Sequence, residues 1–417
     1  MKKRILSILL VLCLTVGLLP TVVLAEGEAA SESPWKLITP RPTEVDQTPY
    51  YDSVAVSSFE ELKTALETVP DDIQEDYEPT LTILVKGWQG EFTWHEEGGE
   101  LTIDFGGDQK ANRTCVPQLV ICGYDLDDDT ALVTWEIPEN VTITCYEKLW
   151  VDAPSSYSSR GGGGGYNPLR IVVNGTLNLY NEVTSGNEIL VNGTLTCGQN
   201  SVLDEVGSIT VNDGGRLNAN QTTLARSVTV NDGASMDVGG WWVNVRDLTI
   251  SSGAEVTHKD IASMSLYGTL TLGDGVELDV KSLKIATSGS YYTGDNIVAI
   301  VADGTAAVKN TISLDAAFGA SVSLTLQGNL TVDAITVDTN RNETEESLWG
   351  DATMTIPAGS HVKIDYINPY IYGADSDLTI NVAGTLEFEE SGGSSRWRVG
   401  NLVLGETAED GSIMYSS

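Results

Sequence analysis

The chain has 417 residues, with 59 acidic side chains against 23 basic ones and a formal charge of −36. A surface that acidic repels the phosphates of nucleic acid and the headgroups of anionic lipids. Beyond the N-terminus, no stretch approaches the ~20 consecutive apolar residues that cross a membrane.

The first residues, MKKRILSILLVLCLTVGLLPTVVLA, join three basic residues to an apolar run and end in small or aliphatic residues at Val23 and Ala25. This pattern predicts a secretory signal peptide, residues 1–25, cleaved after Ala25. Cys13 leaves with it. The signal holds three of the 23 basic residues and none of the 59 acidic ones, so the exported chain carries −39. Residues 26–55 read as a linker.

Four cysteines remain: Cys115, Cys122, Cys145 and Cys197. Export permits disulfides and the number allows three pairings, among which the sequence does not choose. None has CxxC spacing, and His95, His258 and His361 stand in unrelated contexts, so no structural zinc site is expected.

The segment SSFEELKTALETVPDD predicts a helix within residues 56–79. Ser57 or Ser58 with Glu60 or Glu61 makes a capping box, and Phe59, Leu62, Ala65, Leu66 and Val69 share one face before Pro70 stops the turn. Placed just before the strand-like TLTILVKG, this helix is expected to cover the open end of the core that follows.

From residue 80 to 417 the chain repeats. IVVNGTLNL at Ile171 returns as ILVNGTLTC at Ile189. Val173, Val191, Val211, Val230, Ile250 and Leu266 form one column at intervals of 18, 20, 19, 20 and 16 residues, each followed by a turn of Asn, Asp, Ser, Tyr or Gly. Such residues tolerate positive φ, which a tight corner can require. Apolar residues alternate on either side of the turns, which means strands with one face buried. A β-sandwich of ~100 residues would not tick every twenty. One coil of a solenoid does.

The fold expected is therefore all-β: a right-handed parallel β-helix with an N-terminal capping helix. Roughly fifteen rungs at ~4.8 Å would give a rod of roughly 70 Å. No second cap is legible after residue 404, which predicts an open or truncated end and a longer parent protein. The terminal EDGSIMYSS contains no LPxTG-like sorting signal.

FEELKTALE leading into LTILVKG, with the later IPENVTI and IPAGSHVKI, resembles secreted pectin-lyase-like right-handed β-helix proteins, and the asparagine column is similar to the ladders in their turns. Rods of this kind occur in adhesins and in large surface proteins of Gram-positive gut bacteria. The resemblance covers most of residues 56–404 and implies a fold superfamily rather than an activity.

Several residues invite functional readings. Seven N-x-T sequons, at Asn112, Asn140, Asn174, Asn192, Asn220, Asn329 and Asn342, are read as turn chemistry before modification. The loop DLDDDTALVTWE spaces Asp125, Asp127, Asp129 and Glu136 as calcium ligands are spaced, although Thr130 stands where the loop needs Gly. Calcium is the one cofactor suggested, and none is required. Asp213 and Asp232 are expected to stack one strand spacing apart and so to repel unless water, the favoured reading, or a bridging cation intervenes.

Aromatic residues carry the glycan reading. Tyr366, Tyr370 and Tyr372 are expected on one face of DYINPYIYG, and one of Trp241 and Trp242 must face outward if the strand is regular. RGGGGGYNP lacks the Lys of a phosphate loop. Cys122 and Cys145 are expected one rung apart.

No Gly-His-Gly or other linear catalytic motif is present. The expectation is an exported, non-enzymatic surface rod or adhesin-like module that meets extracellular glycan or a host or matrix surface, secreted or held at the cell surface. The alternative is a calcium-assisted protein that binds or cleaves acidic polysaccharide, its catalytic carboxylates brought together between rungs where no linear motif would reveal them.

Overall fold

The computed structural model describes residues 33–35, 37–38, 50–51, 54–69, 80–84, 92–104, 118–122, 133–151, 169–184, 188–258, 262–286, 288–289, 292–293, 295–316, 320–338, 351–370, 378–389, 401–404 and 412–416. Among them the fold is the expected parallel β-helix with a helix at its N-terminal end. Its strands pair in parallel, 24 of them joined in one sheet. The exceptions are two small antiparallel pairs, Leu37–Ile38 with Tyr50–Tyr51 and Ser288–Gly289 with Tyr292–Thr293.

Each coil lays one strand on each of three faces. The first face includes Leu169–Val173, Glu188–Val191, Ser208–Val211, Ser227–Val230, Asp247–Ile250 and Thr269–Leu272. The second includes Val141–Cys145, Thr176–Leu179 and Thr194–Cys197, and the third includes Gln118–Cys122, Leu149–Val151 and Ser263–Leu266. Long strands such as Arg216–Thr223 and Ser235–Val245 bend through the corner between the second and third faces.

Register explains the repeating sequence. Ile189, Ile209, Val228, Leu248, Leu270 and Ile300 are successive Cα partners on the first face, and all are buried. Each such side chain contributes about 1.5–3 kcal/mol by leaving water. Each also forms the floor for the next, so the core grows by one layer per coil.

Two details differ from the sequence reading. Leu266 leaves the column: it pairs with Val245 on the third face, and Leu272 follows Ile250. Tyr267-Gly268 mimics Asn-Gly because it also makes a two-residue corner, but between the third and first faces. Positive φ, moreover, is absent from the Asn-Gly corners at Gly175 and Gly193 and is found in longer corners such as those of Gly214, Gly233, Gly253 and Gly275. In the Asn-Gly corners glycine answers crowding instead, since a Cβ on Gly193 would lie 2.1 Å from Gly175 O and one on Gly175 2.2 Å from Pro138 O.

The asparagines before these glycines form a ladder along the rod. Asn231 Nδ2 donates to Asn212 Oδ1 (3.1 Å), Asn212 to Asn192 (2.8 Å), and Asn192 to Asn174 (2.7 Å). Asn174 Nδ2 then donates to Glu136 Oε1 at 2.5 Å. Asp213 and Asp232 are exposed, and each lies over the glycine of the next coil: a Cβ on Gly233 or Gly253 would come 2.0 Å from the Oδ1 of Asp213 or Asp232.

Helix α1 (Phe59–Glu67) is capped by Ser58, whose Oγ accepts from Glu61 N at 3.2 Å, while Glu61 Oε2 takes the N–H of Ser57 at 2.8 Å. Phe59, Leu62 and Ala65 are its buried face. Phe59 lies 6.2 Å from Trp94, which stacks on Trp135 at 5.7 Å, and Trp35 Nε1 donates to Ala65 O at 3.0 Å. This aromatic cluster lies between the helix and the first coils. A short strand, Val54–Val56, precedes the helix and pairs with Thr80–Leu84, so the third face begins inside the segment read as linker.

The cysteine expectation is corrected. Cys122 lies on the third face opposite Leu84, whereas Cys145 lies on the second face opposite Leu179, so the two do not stack. Leu179 is in turn the partner of Cys197, which puts Cys145 and Cys197 two coils apart in one inward column. Both are free thiols. Cys115 lies outside the described residues.

Candidate functional site

The corner between the second and third faces is where the repeat is broken most visibly. Asn220 is the partner of Gly239, but Thr222 is the partner of Val243, so two more residues fill this corner in the later coil than in the earlier one. Trp241 and Trp242 lie in that insertion. Gly240 enters it at φ +66°, and Trp241 is left 71% exposed while Trp242 is half-buried. A bulge re-aims side chains in this way because the surplus residues find no partner in the preceding coil, although Trp242 pairs with Ser263 of the next one.

Beside the insertion, on the second face, is a depression of about 310 Å³. Its floor is low because Ala219 and Gly239 occupy positions where other coils carry larger residues. Its walls are polar: Asn218, Asn220, Asp237, Thr257 and His258. Register places Thr196, Asn218, Asp237 and Thr257 in one outward column.

The groups in that column hold one another. Arg216 Nε donates to Asn218 Oδ1 at 2.9 Å and its Nη2 pairs with Asp237 Oδ2, while Thr257 Oγ1 donates to Asp237 Oδ1. Asn218 Nδ2 reaches Thr196 Oγ1 at 3.3 Å. Asn220 Oδ1 is buried and meets no donor among the described residues. His258 takes an inward position in the column after Val238, yet keeps part of its ring in solvent, with Nε2 3.8 Å from Asp279 Oδ1. Planar amides and a fixed carboxylate are suited to vicinal hydroxyls, which offer a donor and an acceptor side by side.

Further up the same corner stands an aromatic pair that the sequence reading missed. Tyr146 and Tyr180 stack with centroids 4.9 Å apart and planes 17° from parallel. They follow the partners Cys145 and Leu179, so register alone brings them together. Tyr180 in turn lies over Gly198, where a Cβ would come 2.2 Å from its ring. Tyr146 is 46% exposed.

A second groove, of about 460 Å³, follows the corner between the third and first faces. Arg226, Arg246, Tyr267 and the 74% exposed Ile297 line it, with Asp204 and Asp295. Arg226 Nε donates to the Asp204 carbonyl at 3.3 Å, and Arg246 Nε lies 3.8 Å from the Asp247 carboxylate. Burial pushes the Tyr267 hydroxyl above its ordinary pKa, against a lowering hydrogen bond with Ser265.

Tyr366 is 41% exposed beside buried Ile367, as alternation requires. Tyr370 is placed as backbone only, opposite Asp338, and Tyr372 lies outside the described residues. Of the acidic loop, Asp125, Asp127 and Asp129 also lie outside them. Glu136 is described, and its carboxylate is the terminal acceptor of the asparagine ladder. Among the described residues no three His, Cys, Asp or Glu side chains are grouped to hold a metal ion, and no helix is long and apolar enough to cross a membrane.

No family model, no curated protein and no solved structure matches the chain.

Proposed function

We propose that this chain is an exported, non-catalytic β-solenoid that serves as a cell-surface rod or adhesin-like module and binds extracellular glycan through the corner that carries Trp241. The observation behind this reading is the juxtaposition of a protruding indole with a column of pre-organised polar groups. An apolar ring face beside paired donors and acceptors suits a sugar, which has an apolar face and a hydroxyl edge. The signal-like N-terminus and the resemblance to pectin-lyase-like rods and Gram-positive surface proteins agree with it.

The test is incubation of the purified chain with host and plant glycans and with matrix proteins, reading both binding and products. Retention on a glycan surface without product supports the proposal. Reproducible turnover of any polysaccharide would overturn it.

One observation favours the second reading, an acidic-polysaccharide protein. Arg226 and Arg246 come from neighbouring coils and line one groove, in a chain that is otherwise strongly acidic. Uronide binding abolished by chelator would support the calcium-assisted form of that reading. An unchanged blank with and without calcium counts against it.

A further inference from the structure

The two aromatic features of the second-to-third-face corner lie on one line. Tyr146, Tyr180, Gly198, Asn220 and Gly239 are successive occupants of the first corner position, each following a partnered residue of the second face. Trp241 stands two residues beyond Gly239. Coils are spaced by ~4.8 Å, so roughly 14 Å separates the Tyr180 level from the Trp241 level and roughly 19 Å the Tyr146 level.

The interval between the platforms is polar and uncluttered. Tyr180 covers Gly198, and the depression of Asn218, Asn220 and Asp237 opens immediately after it. The corner is thus a strip with an aromatic surface at each end and hydrogen-bonding groups between.

We infer that this strip is a binding track for a neutral, β-linked polysaccharide lying parallel to the rod axis. The inference rests on the glycan reading above and adds the ligand class, its direction and a second platform. Neutrality follows from charge: a chain at −36 repels a polyanion, and Arg216, the one guanidinium on the strip among the described residues, is already paired with Asp237. β-Linkage follows from shape, because equatorially linked pyranoses form a flat ribbon that offers apolar faces to successive rings. A sugar in such a ribbon advances by close to one coil spacing, so about five sugars would reach from Tyr146 to Trp241.

Engaging both platforms with one chain makes the second contact intramolecular, and affinity then jumps once the ligand is long enough. Calorimetric titration of the full chain with cellobiose through cellohexaose tests this, with oligogalacturonides as the anionic control. Affinity is expected to rise at least about tenfold between three and five units and then level off. Trp241→Ala and Tyr180→Ala should each lower cellohexaose affinity by about tenfold and remove the length dependence. Trp241 is 71% and Tyr146 46% exposed, and neither belongs to the buried core, so Trp241→Ala and Tyr146→Ala keep the fold intact, and circular dichroism verifies it.

If cellohexaose binds but all three variants bind it equally well, the track is wrong while the glycan module stands. Preference for oligogalacturonides also overturns the track. Absence of binding to these probes and to every glycan surface tested above overturns both.

Discussion

Asn192 donates its side-chain amide to Asn174 Oδ1 across 2.7 Å, and in the next coil Asn212 does the same to Asn192. Asn174, Asn192 and Asn212 each use nitrogen toward the earlier coil and oxygen toward the later one. Asn192→Asp removes the donor and sets a carboxylate against the Asn174 oxygen. The expected cost is about 1–2 kcal/mol, discounted for exposure, read as a lower unfolding midpoint that is relieved at pH below the carboxylate range.

Glycines of the two corner types should respond differently to alanine. At Gly193 a Cβ meets Gly175 O at 2.1 Å, a backbone atom that cannot turn aside, whereas at Gly214 nothing lies within 4 Å and only φ +76° is unfavourable. Gly193→Ala is expected to cost at least ~3 kcal/mol or prevent folding. Gly214→Ala should cost about 1–2 kcal/mol. Equal effects in urea unfolding would contradict the assignment of close approach to one corner and backbone strain to the other.

The inward thiols give a pH prediction. Burial pushes Cys145 and Cys197 each up to about 12 from 9.0. At Cys145 the Sγ–H donates to Glu147 O at 3.2 Å. The raised value means the folded state holds these protons more tightly than the unfolded one. Their contribution is therefore complete below pH 9.0 and is lost as pH rises toward about 12. In folded protein Cys145 and Cys197 should resist a thiol reagent at pH 8 and react once unfolded, as peptide mapping of the label would read, and replacing both by valine should flatten the alkaline limb of the stability profile.

Leu62 is fully buried on the covering helix. Leu62→Ala should cost about 2–4 kcal/mol, and the helix loosened in this way should expose the Phe92–Trp94–Trp135 cluster to a hydrophobic dye. No gain in dye fluorescence would mean that the first coil is sealed without the helix.

The architecture was legible where one chemical rule repeats: alternating apolar residues, a corner of small polar residues, and a nearly constant interval. Leu266 was misassigned because a local motif cannot say which corner it belongs to, and only pairing with Val245 decides. Cys122 and Cys145 looked like neighbours because their spacing is close to one lap, yet the intervening chain carries them to different faces. The candidate site was half visible. Trp241 announced itself as a doublet in a glycine setting, but Tyr146 and Tyr180 are separated by 34 residues, much longer than the ordinary lap, and residues 152–168 hide their shared column. Asn218, Asp237 and Thr257 follow the column interval and were within reach of a register count.

The backbone hydrogen bonds of this fold lie along the rod axis, which makes the coils links in series. Under a pull from end to end, every coil bears the same load, and the rod is only as strong as its poorest link. Among the strands whose burial is described, the weakest packing is at Glu255–His258, which has no buried residue, unlike Ser235–Val238 before it. A filament built this way would part at a fixed position beside the proposed glycan track, so the place where it grips is also near the place where it would yield.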